Sequence, residues 1–152
     1  MVVALSNMTG SNRISSPIKC LNSSGEISPM LSHVKKRHEK GKRTARENIE
    51  DLCDKGSFQE IGGLIVAAQK GRKSIKELRE NTPADGLISG IGKINSDLFS
   101  EGTNCYVLSY DYTVLAGTQG AFGHKKTDRL MALAQKAHCP ILFFVEGGGG
   151  RP

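Results

Sequence analysis

The sequence predicts an α/β domain. Short apolar, branched segments alternate with longer helical patterns, and turn-forming glycines close the predicted strands where the chain must bend sharply. Gly occurs 18 times while aromatic residues make up 5% and Trp is absent, a composition suited to close backbone turns and unsuited to stacking bases.

Residues 1–33 are rich in Ser, Asn and Gly, are punctuated by Pro17 and Pro29, and lack apolar periodicity. They read as a flexible, disordered leader or linker. The domain is expected over 34–152. Between Lys35 and Leu52 there is no proline, and Ala45, Ile49 and Leu52 recur at helical spacing, which predicts one helix with Gly41 as its weak point. Asp54-Lys55-Gly56-Ser57 stops it, and Phe58–Ile61 suits a short strand. Lys70–Asn81 is basic and polar, a loop carrying a helical turn. Thr82-Pro83-Ala84-Asp85-Gly86 is a turn leading into a strand at Leu87–Ile94, and Glu101-Gly102-Thr103 is a second turn before a strand at Cys105–Tyr110. Gly117–Gly120 ends that strand. A helix then spans Phe122–Ala137, with Leu130, Met131, Leu133 and Ala134 as its apolar face. After Pro140, Ile141–Val145 is short and wholly apolar, as a buried parallel strand is. The order β-β-α-β favours parallel pairing.

The net charge of +6 is concentrated in Lys35–Arg43. Nucleic acid, an acidic partner or a phosphorylated small molecule would each suit such a cluster, but a solvated helix start is the ordinary case. No nucleic-acid-binding motif accompanies it, so nucleic acid is set aside. The four cysteines (Cys20, Cys53, Cys105, Cys139) include no C-x-x-C pair, which argues against a zinc ribbon or a disulfide framework, and no metal is predicted. Neither a signal peptide nor a membrane span is visible, and a reducing cytoplasm is expected.

Three glycine-bearing or polar stretches invite chemistry. Gly147–Gly150 suits a linker as well as a turn that lets substrate approach the backbone. Ala116-Gly117-Thr118 is either a tight strand-to-helix turn or a second substrate-facing turn. Gly117-x-x-Gly120-x-x-Gly123 lacks the G-x-G core of a dinucleotide fingerprint. His124 and His138 are read as structural or exposed, and Asp111 as a backbone cap at a strand end.

Arg43-Thr44-Ala45-Arg46-Glu47-Asn48-Ile49, Gly56–Glu60, Thr82–Gly86, Gly90-Ile91-Gly92, Tyr110–Gly120, Lys126 with Arg129-Leu130-Met131, and Cys139-Pro140 with the final glycine run occur in an order and spacing that resembles the carboxyltransferase domain of biotin-dependent acyl-CoA carboxylases. The likeness covers roughly Val34–Pro152. Where many members have S-G-G-A-R, this chain has Gly147–Arg151, which looks like the branch fused to biotin carboxylase. The resemblance implies an incomplete crotonase-like β-β-α spiral that stops inside the first of two domains. It implies transfer of a carboxyl group from carboxybiotin on a separate carrier to the α-carbon of an acyl-CoA. Gly148 and Gly149 are then the backbone oxyanion pair, and Ala116, Gly117, Thr118 and Lys126 contact the acyl-CoA, Lys126 as a cation for CoA phosphate. Biotin carboxylase and carrier domains are the implied partners, in a homo-oligomer and without a membrane. A CoA- or subunit-binding fragment without catalysis, and a biotin-dependent decarboxylase part, are the alternatives.

Overall fold

The computed structural model describes residues 2–5 and 29–151. In chain order the elements are β1 (Val2–Leu5), α1 (Pro29–Glu39), α2 (Ala45–Leu52), β2 (Gln59–Glu60), α3 (Ile75–Asn81), β3 (Leu87–Lys93), β4 (Asn104–Tyr110), α4 (Ala121–Ala137) and β5 (Ile141–Phe144). Short 3₁₀ turns at Pro83–Gly86 and Leu115–Gly117 precede β3 and α4. The strands form one sheet in the order β1-β5-β4-β3-β2. β3 and β4 are antiparallel, while α4 carries the chain over to β5, which pairs parallel with β4 in the register Tyr106↔Ile141 to Ser109↔Phe144. The sheet is therefore mixed, and parallel pairing holds only for β1, β4 and β5 among these strands.

Alternation along the strands divides the core between the two sheet faces. Leu87, Tyr106, Leu108, Tyr110, Ile141 and Phe143 pack with Leu130 and Ala134 of α4. Their neighbours Ile88, Cys105 and Val107, with Leu142 and Phe144, pack with Ala45 and Ile49 of α2 and with Cys53 at its C-cap. Gly90 is required where β3 passes β2, because a side chain there would overlap the Gln59 carbonyl and the Phe58 ring. Cys53 and Cys105 are buried free thiols and Cys139 is half-buried. Burial pushes the Cys53 thiol up to about 11.

Two expectations are corrected. The single helix predicted over Lys35–Leu52 is two helices. Gly41 takes a left-handed φ of +67°, and Thr44 opens α2 with a capping box, its Oγ1 accepting from Glu47 N at 3.2 Å while Glu47 Oε2 accepts from Thr44 N at 2.7 Å. On α4, Met131 is exposed, and the buried stripe is Gly123, Lys126, Leu130 and Ala134. That stripe follows the i, i+3, i+4 rows, which the bare apolar count missed because Lys126 is polar. Of the leader, Val2–Leu5 forms an edge strand on β5; Met1 and residues 6–28 lie outside the described residues.

The burial of Lys126 ties α4 to the turn before β3. Its Nζ donates to the Ala84 carbonyl at 3.0 Å and to the Leu87 carbonyl, and the residue is only 5% exposed. Burial lowers its pKa to about 8, opposed by the nearby Glu60 and Asp85 carboxylates. The unfolded chain holds this proton up to the ordinary lysine value of about 10.4, so between the two values the unfolded state binds more protons. The fold is then penalised below pH 8 and gains stability as pH rises above it. Urea unfolding of the wild type and Lys126→Met at about pH 7.5 and 10 should show the stability difference moving toward the wild type by on the order of 2 kcal/mol. Titration of Cys53 cancels in this comparison. A pH-independent difference would contradict the assignment.

Candidate functional site

Parallel pairing of β4 and β5 brings the ends of both strands to the same edge of the sheet, and the two glycine-bearing stretches meet there. Gly117, with φ +67°, lies against the backbone of Glu146 and Gly147, and a Cβ on it would come within 3.0 Å of Gly147 Cα. Conversely, a side chain on Gly147 would overlap the Gly117 carbonyl. Only glycine allows these backbones to cross so closely. Beyond the crossing, Gln119 N donates to Gly149 O at 2.8 Å and Arg151 N donates to Gln119 O at 2.9 Å. This parallel bridge between Gln119 and Gly150 extends the strand pairing into the turns.

Gly148 and Gly149 are both exposed. Among the described residues their N–H groups donate to no backbone carbonyl. Gly149 has φ +92° with open space where a Cβ would stand, and a Cβ on Gly148 would be 3.6 Å from Thr118 Cγ2 and 3.9 Å from Ala116 O. Gly148 and Gly149 thus stand exposed beside Ala116. That residue and its neighbour Leu115 hold left-handed φ values of 53° and 48°, a conformation costing about 1–3 kcal/mol each for a non-glycine residue and concentrated at ligand-facing turns. Of the residues expected at the site, Ala116, Gly117, Thr118, Gly148 and Gly149 are brought together. Thr118 spends its hydroxyl on the Leu115 carbonyl at 2.7 Å. Lys126 is not with them: its ammonium is inside the fold, satisfied by two carbonyls, and it presents no charge to solvent.

Two ion pairs bracket the glycine run, and the sequence reading missed both. On the near side, Glu146 receives Arg37 through both oxygens, at 2.6 and 3.1 Å. Arg37 also donates twice to the Arg43 carbonyl, at 2.8 and 2.6 Å, and lies 5.3 Å from the Tyr112 ring centroid. This residue of the basic run is buried, whereas Lys35, Lys36, Lys40 and Lys42 are exposed as solvated charges. On the far side, Arg151 pairs with the Asp85 carboxylate and donates to the Asp85 and Thr118 carbonyls. Asp85 is 1% exposed, and its other oxygen accepts Gly123 N at 2.7 Å. The N-cap of α4 is Gly120, which has no side chain to cap with; Asp85 supplies the cap from 38 residues away. Gly120 must be glycine for this, since a Cβ there would come 2.5 Å from Arg151 Nη2 and 2.7 Å from the Asp85 carboxylate. Asp85 and Arg151 stand in stretches the sequence marks, but Arg37 and Glu146 are 109 residues apart and no local pattern links them.

His124 and His138 are exposed on α4 and at its C-cap. Asp111 Oδ1 accepts from Thr113 N at 2.9 Å and Thr113 Oγ1 at 2.5 Å, the backbone-capping arrangement expected of it. No group of three metal-ligating side chains occurs among the described residues, and no helix among them is long and apolar enough to cross a membrane.

A family model described as carboxyl transferase domain matches residues 36–151. The chain is 36% identical over 118 residues to the propionyl-CoA carboxylase beta chain of Saccharopolyspora erythraea, covering 78% of this chain and 20% of that protein. It is 35% identical over 119 residues to the methylmalonyl-CoA carboxyltransferase 12S subunit of Propionibacterium freudenreichii subsp. shermanii, covering 78% and 21%. Its fold matches a single-chain, multi-domain long-chain acyl-CoA carboxylase with a TM-score of 0.77 at 50% identity, over 87% of this chain and 13% of that one. Transcarboxylase 12S, solved as a hexamer with methylmalonyl-CoA and methylmalonic acid bound, matches with a TM-score of 0.65 at 33% identity over 79% of this chain and 22% of that one. The chain spans about a fifth of the length of these curated relatives. With 36–151 matched to the family and the β-β-α order, the glycine run and its crossing with Gly117 all in place, the chain belongs to the carboxyl transferase domain family of biotin-dependent acyl-CoA carboxylases.

Proposed function

We propose that this chain forms the acyl-CoA side of a biotin-dependent carboxyltransferase, with the N–H groups of Gly148 and Gly149 as its oxyanion donors. The observation that carries the reading is the glycine turn itself, where Gly148 and Gly149 are exposed and donate to no backbone carbonyl among the described residues, beside a strained second turn; the family motif selects this pair from the run. In the reaction the α C–H bond of an acyl thioester breaks and negative charge develops on the thioester oxygen. Carboxybiotin, when delivered on its carrier, would give its carboxyl group to the α-carbon and take the α-proton in exchange. Biotin supplies both the carboxyl group and the base, so this chain needs no side-chain base. Its part is to hold the thioester and stabilise the oxygen, and each donor there is worth about 3 kcal/mol.

Ala116-Gly117-Thr118 lines the thioester side of the same turn. Lys126 supports the turn from within and does not meet CoA phosphate. The carboxybiotin side, the biotin carboxylase and the carrier come from other domains or subunits, in an oligomeric assembly in the cytoplasm. The 50% identity to the single-chain long-chain acyl-CoA carboxylase favours carboxylation over the decarboxylating direction.

Because the chain spans about a fifth of its relatives, the purified chain supplied with biotin carboxylase, carboxylated carrier and propionyl-CoA is expected to form no carboxylated product above a no-protein control. Product formation would show that the chain carries both half-sites.

The donor role is tested by exchanging residues 29–151 for the matching segment of the single-chain long-chain acyl-CoA carboxylase. Gly149→Val in this chimera should lower kcat on the order of 100-fold while the fold persists at a cost of about 1–3 kcal/mol, since the space beside Gly149 is open and only its positive φ opposes a branched residue. His124→Gln and His138→Gln should keep kcat. Loss in the histidine variants with retention in Gly149→Val would overturn the mechanism in favour of side-chain acid–base catalysis.

A further inference from the structure

Four consecutive glycines are the least self-ordering stretch a chain can contain, because each has the largest backbone freedom to lose. Two amide donors useful in a transition state must nevertheless be aimed in advance. Here the residues immediately outside the run are both charged, and both are fixed. Glu146 is held by the Arg37 fork, whose Nε, Nη1 and Nη2 all have acceptors. Arg151 is held by the Asp85 carboxylate and the Thr118 carbonyl. Within the run, Gly147 is pressed on Gly117 and the Gly149 carbonyl accepts Gln119 N.

The burial of these pairs is itself informative. Side-chain exposures are 7% and 18% for Arg37 and Glu146, and 10% and 0% for Arg151 and Asp85. Ion pairs this buried contribute little net stability compared with apolar replacements, because desolvation offsets their attraction. What a bidentate or doubly anchored guanidinium supplies instead is fixed geometry.

We propose that Arg37–Glu146 and Asp85–Arg151 are positioning pairs that hold the glycine run from both ends and aim the Gly148 and Gly149 N–H groups at the thioester oxygen. The aiming rests on the donor assignment made above; the anchoring does not. Arg37 thereby acquires a role that its place in a basic surface run conceals. It reaches the glycine run from α1 through Glu146.

The anchoring is read directly on this chain by ¹⁵N relaxation. Gly148 and Gly149 should show order parameters near the rigid-backbone value of about 0.85 in the wild type, falling below about 0.6 in Arg37→Lys and in Asp85→Asn. Ile49→Val, a core variant of mild instability on the opposite side of the sheet from α4, should leave both glycines at the wild-type value. Either positioning variant that folds is sufficient, and wild-type order at both glycines in it would overturn the proposal. In the chimeric carboxylase the same two variants should lower kcat roughly 10- to 100-fold with KM for the acyl-CoA unchanged, while Ile49→Val retains kcat. Equal loss of kcat in Ile49→Val, or none in the positioning variants, would reduce the pairs to a structural role. If Gly149→Val keeps its turnover, the donor assignment fails, and the order parameters still decide whether the pairs anchor the run.

Discussion

The Asp85 carboxylate is the point on which the site depends. It sits at the start of α4, where the first backbone N–H groups have no partner inside the helix and the helix dipole favours negative charge. One oxygen takes the Gly123 N–H and the other takes the Arg151 guanidinium. A single buried group thus joins the turn before β3, the beginning of α4 and the segment after β5. Removing one partner of so buried a pair leaves an uncompensated charge, at roughly 3–5 kcal/mol. The turn that presents Asp85 is itself strained, with left-handed φ at Ala84, Asp85 and Gly86. Lys126 holds it from below by taking the Ala84 and Leu87 carbonyls.

Around this point, glycine is used for two different purposes. At Gly117, Gly120 and Gly147 the absent side chain makes room for a neighbouring backbone or for the Asp85–Arg151 pair. At Gly149 nothing crowds the position, and the demand is conformational. The first kind of glycine builds the crossing of the two turns. The second leaves an exposed turn once that crossing is made. A mixed sheet serves this arrangement well. Because α4 returns the chain parallel to β4, both strand ends arrive at one edge, where open α/β sheets bind their ligands.

Charge is distributed with a similar division of labour. The lysines of the basic run, Lys35, Lys36, Lys40 and Lys42, stay in solvent, while Arg37 from the same run is drawn inward to Glu146. Its guanidinium suits that position better than an ammonium would. It is planar and weakly hydrated, and it can satisfy a carboxylate, a carbonyl and an aromatic face at once. The charged groups that bracket the glycine turn, Arg37 with Glu146 and Asp85 with Arg151, are therefore bound to the backbone and to one another.

Much of the element order was legible in the sequence alone. Branched and aromatic runs marked β3, β4 and β5, turn residues separated them, and the i, i+4 pattern marked α4. These signals are local, and local periodicity survives reading in one dimension. Gly148 and Gly149 were singled out through the resemblance that their motif carries, and the structure places them exposed beside the Ala116–Thr118 turn. Other features were decided only by the tertiary structure. Lys126 looks like a solvated helix lysine until α4 is laid on β3, when its position on the buried row forces the ammonium onto two carbonyls. Arg37 belongs by sequence to a surface charge run, and Val2–Leu5 to a polar leader. Each finds its partner, Glu146 or β5, more than a hundred residues away. Composition and spacing determine which segments become strands and helices, because those choices depend on neighbours along the chain. Which charges are buried and which glycines are crowded by a crossing backbone depends on neighbours in space, and only the folded sheet supplies them.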